Sequence, residues 1–147
     1  MNITEHFTLS EFEFSQTAIR KGIDNTIPEE LKPNIIKLCK DYLEPIRKEW
    51  GSGLRITSGY RCYRLNKAIG GSKKSEHLNG TAVDFIPVKG KLSDLFRLIV
   101  SMNLSFNQLI YEGNWIHLGI GGRKNEILRA EFTKNGVIYT SSLGFNQ

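Results

Sequence analysis

Two of the chain's three histidines and one of its aspartates occupy places where a polar side chain needs a chemical reason. Asp84 lies inside the β-rich run Thr81–Ile86, and His117 lies inside the apolar run Trp115–Ile120. Aspartate is depleted in strand interiors, and a buried carboxylate without a partner is costly. His77 ends the polar loop that leads into the first of these runs. The three side chains are therefore candidates for a shared site.

Two imidazoles and one carboxylate form a suitable ligand set for zinc, with a fourth position left open for water. A structural zinc site would need four protein ligands, and Cys39 and Cys62 do not have metal-binding spacing. We interpret both cysteines as free thiols. A buried, hydrogen-bonded pair of Asp84 and His117 explains the same pattern, and spacing alone does not separate the two interpretations. His6 is interpreted as a solvated residue of the N-terminal tail.

A carboxylate also lies close to His117 if the chain forms a hairpin there. The pair Gly113-Asn114 predicts a two-residue turn between a strand that ends at Glu112 and one that begins at Trp115. In that register Ile110 faces His117, and Glu112 stands diagonally beside His117 on the same face. A carboxylate in this place suits a general base. A solvated glutamate at the end of a hairpin explains the same residue.

The first strong structural element is an amphipathic helix predicted from Pro28 to Trp50. Its apolar residues recur at helical spacing on one face, and they are Leu31, Ile35, Leu38, Tyr42, Ile46 and Trp50. Pro45 removes one internal hydrogen bond and is expected to kink the last turn. Gly51 is expected to end the helix.

The remaining segments predict short helices and strands. The expected helices are Arg61–Ile69 and Leu92–Met102. The expected strands are Leu54–Thr57, Thr81–Ile86, Gln108–Glu112 and Trp115–Ile120, with a second hairpin of Arg129–Lys134 and Val137–Thr140. The predicted fold class is α+β, with N-terminal helices packed on a mainly antiparallel sheet. We expect a single domain over residues 1–147, divided into an irregular N-terminal segment (1–27), a catalytic core (28–120) and a C-terminal hairpin (121–147).

Composition excludes several classes of protein. The chain of 147 residues has 20 Lys and Arg against 15 Asp and Glu, which gives a formal net charge of +5. The basic residues are scattered rather than clustered with aromatics, so no nucleic-acid partner is expected. No apolar run approaches the ~20 residues of a membrane-spanning helix, so no membrane partner is expected. No signal peptide is recognisable, so we expect synthesis in the cytoplasm, and we expect a monomer.

The segments around Asp84 and His117 form a motif that resembles the zinc D-alanyl-D-alanine carboxypeptidase family. The matching residues are Ser75, His77, Gly80, Ala82 and Asp84, followed by Trp115 and His117. The run Ser58-Gly59-Tyr60-Arg61 also fits, and the similarity extends from about Phe7 to Ile120. That family includes phage L-alanyl-D-glutamate endopeptidases and D,D-dipeptidases, and it shares its fold with lysostaphin-type peptidases and the Hedgehog signalling domain. The chain is most similar to a compact, phage-type branch.

The resemblance implies a role for each matching residue. The zinc ligands that it implies are His77, Asp84 and His117. Arg61 matches an arginine that holds the substrate carboxylate or the polarised carbonyl, a task that suits a planar, permanently charged guanidinium. Some branches place the general base three residues before the last ligand, where this chain has Asn114, which cannot act as a base. Another branch places it five residues before, at Glu112, so Glu112 is the candidate base.

The implied function is that of a zinc metallopeptidase of the bacterial cell wall. The enzyme would hydrolyse peptide bonds in peptidoglycan stem peptides or crosslinks, as a D,D-carboxypeptidase or as an endopeptidase of the endolysin type. It would act at the wall after phage-mediated release. The alternative is a catalytically silent zinc-binding module on the same fold, serving cell-wall binding or a phage particle.

Overall fold

The structure, a computed structural model, describes residues 2–141. The helices in that range are α1 (Leu9–Glu13), α2 (Gln16–Lys21), α3 (Lys32–Lys37), α4 (Glu44–Trp50), α5 (Tyr63–Ala68) and α6 (Leu92–Ser101). The strands are β1 (Leu54–Ser58), β2 (Ala82–Pro87), β3 (Gln108–Tyr111), β4 (Ile116–Gly119), β5 (Glu126–Thr133) and β6 (Gly136–Ser141). The predicted α+β class is confirmed. Residues 1 and 142–147, which the domain prediction also covers, lie outside the described range.

Over residues 2–141 the strands form one six-stranded sheet in the order β1-β2-β4-β3-β5-β6. Neighbouring strands are antiparallel except β3 and β5, which pair in parallel. β4 occupies one edge of β3. Residues 120–125 form the connection that carries the chain to the other edge, where β5 runs in the same direction as β3. The prediction of a mainly antiparallel sheet is confirmed, and both predicted hairpins form.

The long amphipathic helix is interrupted just before Pro45. Residues Leu38–Leu43 form a π-helical segment between α3 and α4, in which the Glu44 N–H donates to the Cys39 carbonyl five residues back. A proline has no N–H to continue the α-helical pattern, and a wider turn next to it accommodates the missing bond. The helix ends at Gly51, whose φ of 79° is the left-handed conformation that glycine adopts without strain.

The N-terminal segment contains two short helices that lie on the body of the protein. A reciprocal capping box between Thr8 and Glu11 begins α1, and Ser15 caps α2. Phe7 and Phe12 are buried. Two aromatic anchors thereby fix a segment that the sequence predicts to be irregular.

His6 is an exposed residue, as predicted, but its side chain and backbone are also paired with a distant carboxylate. Its Nδ1 lies 2.6 Å from one carboxylate oxygen of Glu44, and its backbone N–H donates to the other oxygen at 2.8 Å. Burial would raise the pKa of Glu44, but the hydrogen bonds from His6 outweigh it and lower that pKa. The pairing joins residues 38 positions apart, so no local pattern reveals it.

The two faces of the sheet have different surroundings. The face that packs on the helices is apolar, and its buried residues include Val83, Phe85, Leu109, Ile116 and Leu118. On the opposite face the strand registers place a row of residues side by side, namely Ser58, Asp84, His117, Ile110, Leu128 and Ser141. Side chains alternate along each strand, so the helix-covered face fixes which residues this second face presents.

Both cysteines are free thiols in different surroundings. Cys39 is fully buried in the core, and burial, with the nearby Glu11 and Glu44, raises the pKa of its thiol to about 12. Cys62 begins α5, where its Sγ accepts a hydrogen bond from the Leu65 N–H. Each therefore has a structural role that requires no disulfide.

Gly59 provides a test of how the N-terminal segment is held against the sheet. A Cβ on Gly59 would lie 2.6 Å from the Phe12 Cα, a backbone atom that cannot turn aside. We expect Gly59→Ala to lower the free energy of unfolding by about 1–3 kcal/mol, the usual range for overpacking. Gly53→Ala is the matched control, because its Cβ would meet only the exposed Val88 side chain, at 3.2 Å. Denaturant unfolding measures both, and equal losses would contradict the account.

Candidate metal centre

His77 is placed by a short helical turn that precedes β2. The Ser75 hydroxyl accepts the His77 N–H at 3.2 Å and begins the 3₁₀ turn Glu76–Asn79. Gly80 ends the turn in the left-handed conformation, with a φ of 69°. The turn folds the imidazole inward, where the residue is only 2% exposed.

The partner of the His77 ring determines which nitrogen carries its proton. The His77 Nδ1 lies 2.6 Å from the Gly59 carbonyl, which can only accept, so Nδ1–H is the donor. In the neutral imidazole Nε2 then carries the lone pair. That atom lies 3.3 Å from the Asp84 Oδ1, so the Gly59 carbonyl orients the ring toward the carboxylate.

Asp84 lies at the centre of the cluster. The register of β2 and β4 places it directly opposite His117, whose Nδ1 is 2.9 Å from the same Oδ1. Burial alone would raise the pKa of the Asp84 carboxyl, but the charge of His77 and the hydrogen bonds from His117 and His77 outweigh it. The pKa is held well below its usual range, so Asp84 is an anion in the folded protein.

The donor set fits a metal ion. One ligand atom from each of His77, Asp84 and His117 can be chosen so that all lie within 4.8 Å of one another. With Nδ1–H donating to the Gly59 carbonyl, His77 Nε2 faces a carboxylate oxygen, and only a positive charge between these two atoms, a proton or a metal ion, makes that contact favourable. Imidazole and carboxylate are zinc ligands, and three protein ligands with an open position are typical of catalytic zinc. These residues are the ones that would hold zinc here.

Arg61 lies beside this cluster on the loop between β1 and α5. One terminal guanidinium nitrogen is 3.5 Å from the Asp84 Oδ2, and Nε donates to the Ser58 hydroxyl at 3.2 Å. The other terminal nitrogen donates to the Asn66 Oδ1 at 3.4 Å, and the buried Asn66 donates in turn to the Ser72 carbonyl at 2.8 Å. The guanidinium is thus held at the edge of the cluster. Asn66 is a positioning residue whose role the sequence does not reveal.

Glu112 lies where the hairpin prediction put it. Ile110 pairs with His117, and the Glu112 N–H donates to the Trp115 carbonyl at 2.9 Å, so the predicted register is confirmed. The half-buried Glu112 side chain lines the same cleft as the cluster. Burial raises the pKa of its carboxyl, with Asp84 adding to the shift and His117 opposing it. Asn114 is exposed at the turn.

The cluster is exposed to solvent through an open cleft. The cleft has a volume of about 900 Å³, and its lining includes Arg61, His77, Asp84, Glu112 and His117. A second cleft of about 470 Å³ shares Arg61, Ile69, Asp84 and Trp115 with the first. The cluster therefore lies where two depressions of the surface meet.

Glu76 is a further residue of this region that sequence reasoning missed. Its carboxylate accepts hydrogen bonds from the Thr81 hydroxyl at 3.2 Å, from the Asn107 amide at 3.1 Å and from the Gly121 N–H. It joins the turn that carries His77 to the segment after β4. The only local sign in the sequence that Glu76 belongs to this region is that it directly precedes His77.

Comparison with known protein families gives a match that covers most of the chain. A family model described as Peptidase M15 matches residues 5–119, which include every candidate site residue and exclude β5 and β6. No curated protein sequence gives a significant match. Within residues 2–141 no helix is both long enough and apolar enough to cross a membrane.

The histidines allow a direct test of the metal centre. The wild-type chain is expected to bind about one zinc ion, and His117→Ala is expected to lose most of it, because two remaining ligands rarely hold zinc firmly. His6→Ala is the matched control, because His6 binds Glu44 far from the cluster along the chain. Elemental analysis of protein reconstituted with zinc measures the content. Equal zinc in His117→Ala and His6→Ala would contradict the assignment.

Proposed function

The chain belongs to the peptidase M15 family, and from this membership and its buried His-Asp-His cluster we propose that it is a zinc-dependent peptidase of peptidoglycan. The family is one of metallopeptidases, which makes the chain a hydrolase of peptide bonds in general terms. The finer proposal is that it cleaves stem peptides or crosslinks of the bacterial cell wall. The observation that carries it is the convergence of His77, Asp84 and His117 at an open cleft, with Arg61 and Glu112 beside them.

We propose His77, Asp84 and His117 as the residues that hold the metal. When bound, zinc supplies Lewis-acid chemistry that polarises a peptide carbonyl and acidifies water. The protein supplies the orientation. The Gly59 carbonyl fixes the His77 ring, and the β2–β4 register fixes Asp84 against His117.

We propose Glu112 as the general base. Its carboxylate is on the same strand face as Ile110 and therefore on the face of His117 and Asp84. It accepts a proton from the attacking water and delivers it to the leaving amine. A raised pKa suits this role, because the carboxyl then holds a proton more readily than a solvated glutamate does. The exposed amide of Asn114 can do neither.

We propose that Arg61 contacts the substrate. Its contacts with Ser58, Asn66 and Asp84 hold the planar guanidinium in place before the substrate arrives. A fixed, permanently charged group offsets negative charge that develops on the scissile carbonyl oxygen, or binds a substrate carboxylate. A lysine at this position would offer one compact ammonium group in place of the planar guanidinium with its several donors.

The shape of the surface bears on which bond is cut. Because two clefts meet at Arg61, Asp84 and Trp115, a peptide can continue on both sides of the scissile bond. This room favours an internal bond over a terminal one.

Lys74 and Lys124 line the larger cleft and suit an anionic peptide. We propose the bacterial cell wall as the site of action.

A digest of purified peptidoglycan tests the function. Zinc-loaded protein is expected to release peptides whose new termini identify one internal bond by mass spectrometry. The metal-free protein is the control and is expected to release none. If zinc-loaded wild-type protein cleaves no bond, the catalytically silent module becomes the better account. Release of single terminal D-alanine residues would instead identify a carboxypeptidase.

The role of Glu112 is tested by Glu112→Gln, which keeps the side-chain size and removes the base. Hydrolysis is expected to fall by about 10²–10⁴-fold, the contribution of a positioned general base. Zinc content is expected to stay unchanged, because Glu112 is not among the proposed ligands. Asn114→Ala, in the adjoining turn, is the matched control and is expected to keep wild-type activity. The assignment is wrong if Asn114→Ala is inactive while Glu112→Gln is active.

A further inference from the structure

The hairpin of β5 and β6 forms one wall of the larger cleft, although it lies outside the residues that match the family model. β5 pairs with β3 along the whole length of β3, from the pair Gln108–Glu126 to the pair Tyr111–Arg129. It then continues to Thr133, past the end of β3. The hairpin therefore extends alongside the turn between β3 and β4.

The strand registers show which hairpin side chains face the cluster. Leu128 pairs with Ile110, which pairs with His117, so Leu128 is on the cluster face of the sheet. By alternation Phe132 is on that face too. On β6 its partner is Val137, and Tyr139 lies opposite Ala130. The four large side chains on this face line the cleft, and they are Leu128, Phe132, Val137 and Tyr139.

Much of this apolar surface is open to solvent. Phe132 is 63% exposed, Tyr139 51% and Val137 45%. Scattered exposed apolar residues are ordinary, but a contiguous apolar face in a cleft indicates a binding surface. Its continuity with the cleft that holds the cluster indicates that the occupant is the ligand of that cleft.

The wall stands next to the proposed base. The Phe132 ring lies beside the turn that follows Glu112, since a Cβ on Gly113 would lie 3.4 Å from its Cε2. Tyr139 interacts electrostatically with Glu112 and Asp84, and burial together with these charges raises the pKa of its hydroxyl. The hydroxyl thus stays protonated and able to donate a hydrogen bond at neutral pH.

We propose that this face of the hairpin is a specificity-determining substrate wall. Phe132 and Val137 pack against an apolar part of the peptide substrate next to the scissile bond, and Tyr139 donates to a peptide carbonyl. The inference rests on the proposed function, since the occupant is the peptide substrate of the same site. It adds that the substrate is selected by residues outside the segment that identifies the family.

A binding experiment tests the wall separately from catalysis. The probe is the synthetic pentapeptide L-Ala-D-Glu-L-Lys-D-Ala-D-Ala, titrated by calorimetry into full-length, zinc-loaded Glu112→Gln protein. Adding Phe132→Ser is expected to raise Kd about tenfold, the scale on which one apolar contact discriminates between ligands. Adding Ile138→Ser is the matched control and is expected to change Kd less than about twofold. Ile138 is 52% exposed on the same hairpin but on its opposite face.

Each outcome decides the proposal. It is overturned if the two serine variants change Kd equally, if neither does, or if the pentapeptide does not bind. A change of mass in analytical ultracentrifugation with Phe132→Ser, without a change of Kd, would assign the face to a second copy of the chain and also overturn it. If Phe132→Ser does not fold, Tyr139→Ala replaces it with the same expected direction. Failure of the proposed function would give a different result. Phe132→Ser would still weaken binding of the pentapeptide, but wild-type protein would hydrolyse no peptide bond.

Discussion

The charge of the buried Asp84 is the constraint on which the site depends. A carboxylate on an interior strand is tolerated only when positive charge and hydrogen bonds compensate its lost hydration. His77, His117 and Arg61 all converge on it, with contacts of 3.3, 2.9 and 3.5 Å. These partners come from a turn, a strand and a loop, so compensating one charge joins three separate parts of the chain. The same arrangement brings together the three side chains that we propose as zinc ligands.

The sheet places these polar residues on the face that the helices do not cover. The helices cover one face, so alternation along each strand leaves Asp84 and His117 on the other. A slip of either strand by one residue in the β2–β4 register would turn its polar side chain, Asp84 or His117, toward the helices. The same alternation places Glu112 near His117 and the apolar side chains of β5 and β6 across the cleft. One pattern of alternation therefore fixes the core positions together with the proposed catalytic and binding positions.

The sequence predicted what short-range patterns determine. Strand alternation around Asp84, the tight turn after Glu112 and the amphipathic helix before Gly51 were all readable, because each depends on neighbours a few residues apart. The contact of His6 with Glu44 and the approach of Gly59 to His77 were not, because they join distant segments. Of the two interpretations of Asp84 and His117, the hydrogen-bonded pair is confirmed. Metal binding stays a prediction, which the position of His77 beside the pair supports.

Anomalous diffraction at the zinc edge from crystals of the zinc-loaded protein tests the central claim most directly. We predict one peak, about 2.0–2.2 Å from a nitrogen of His77, an oxygen of Asp84 and a nitrogen of His117, the distances usual for these ligands. A peak elsewhere, or a fully loaded crystal without a peak between these three residues, would contradict the account.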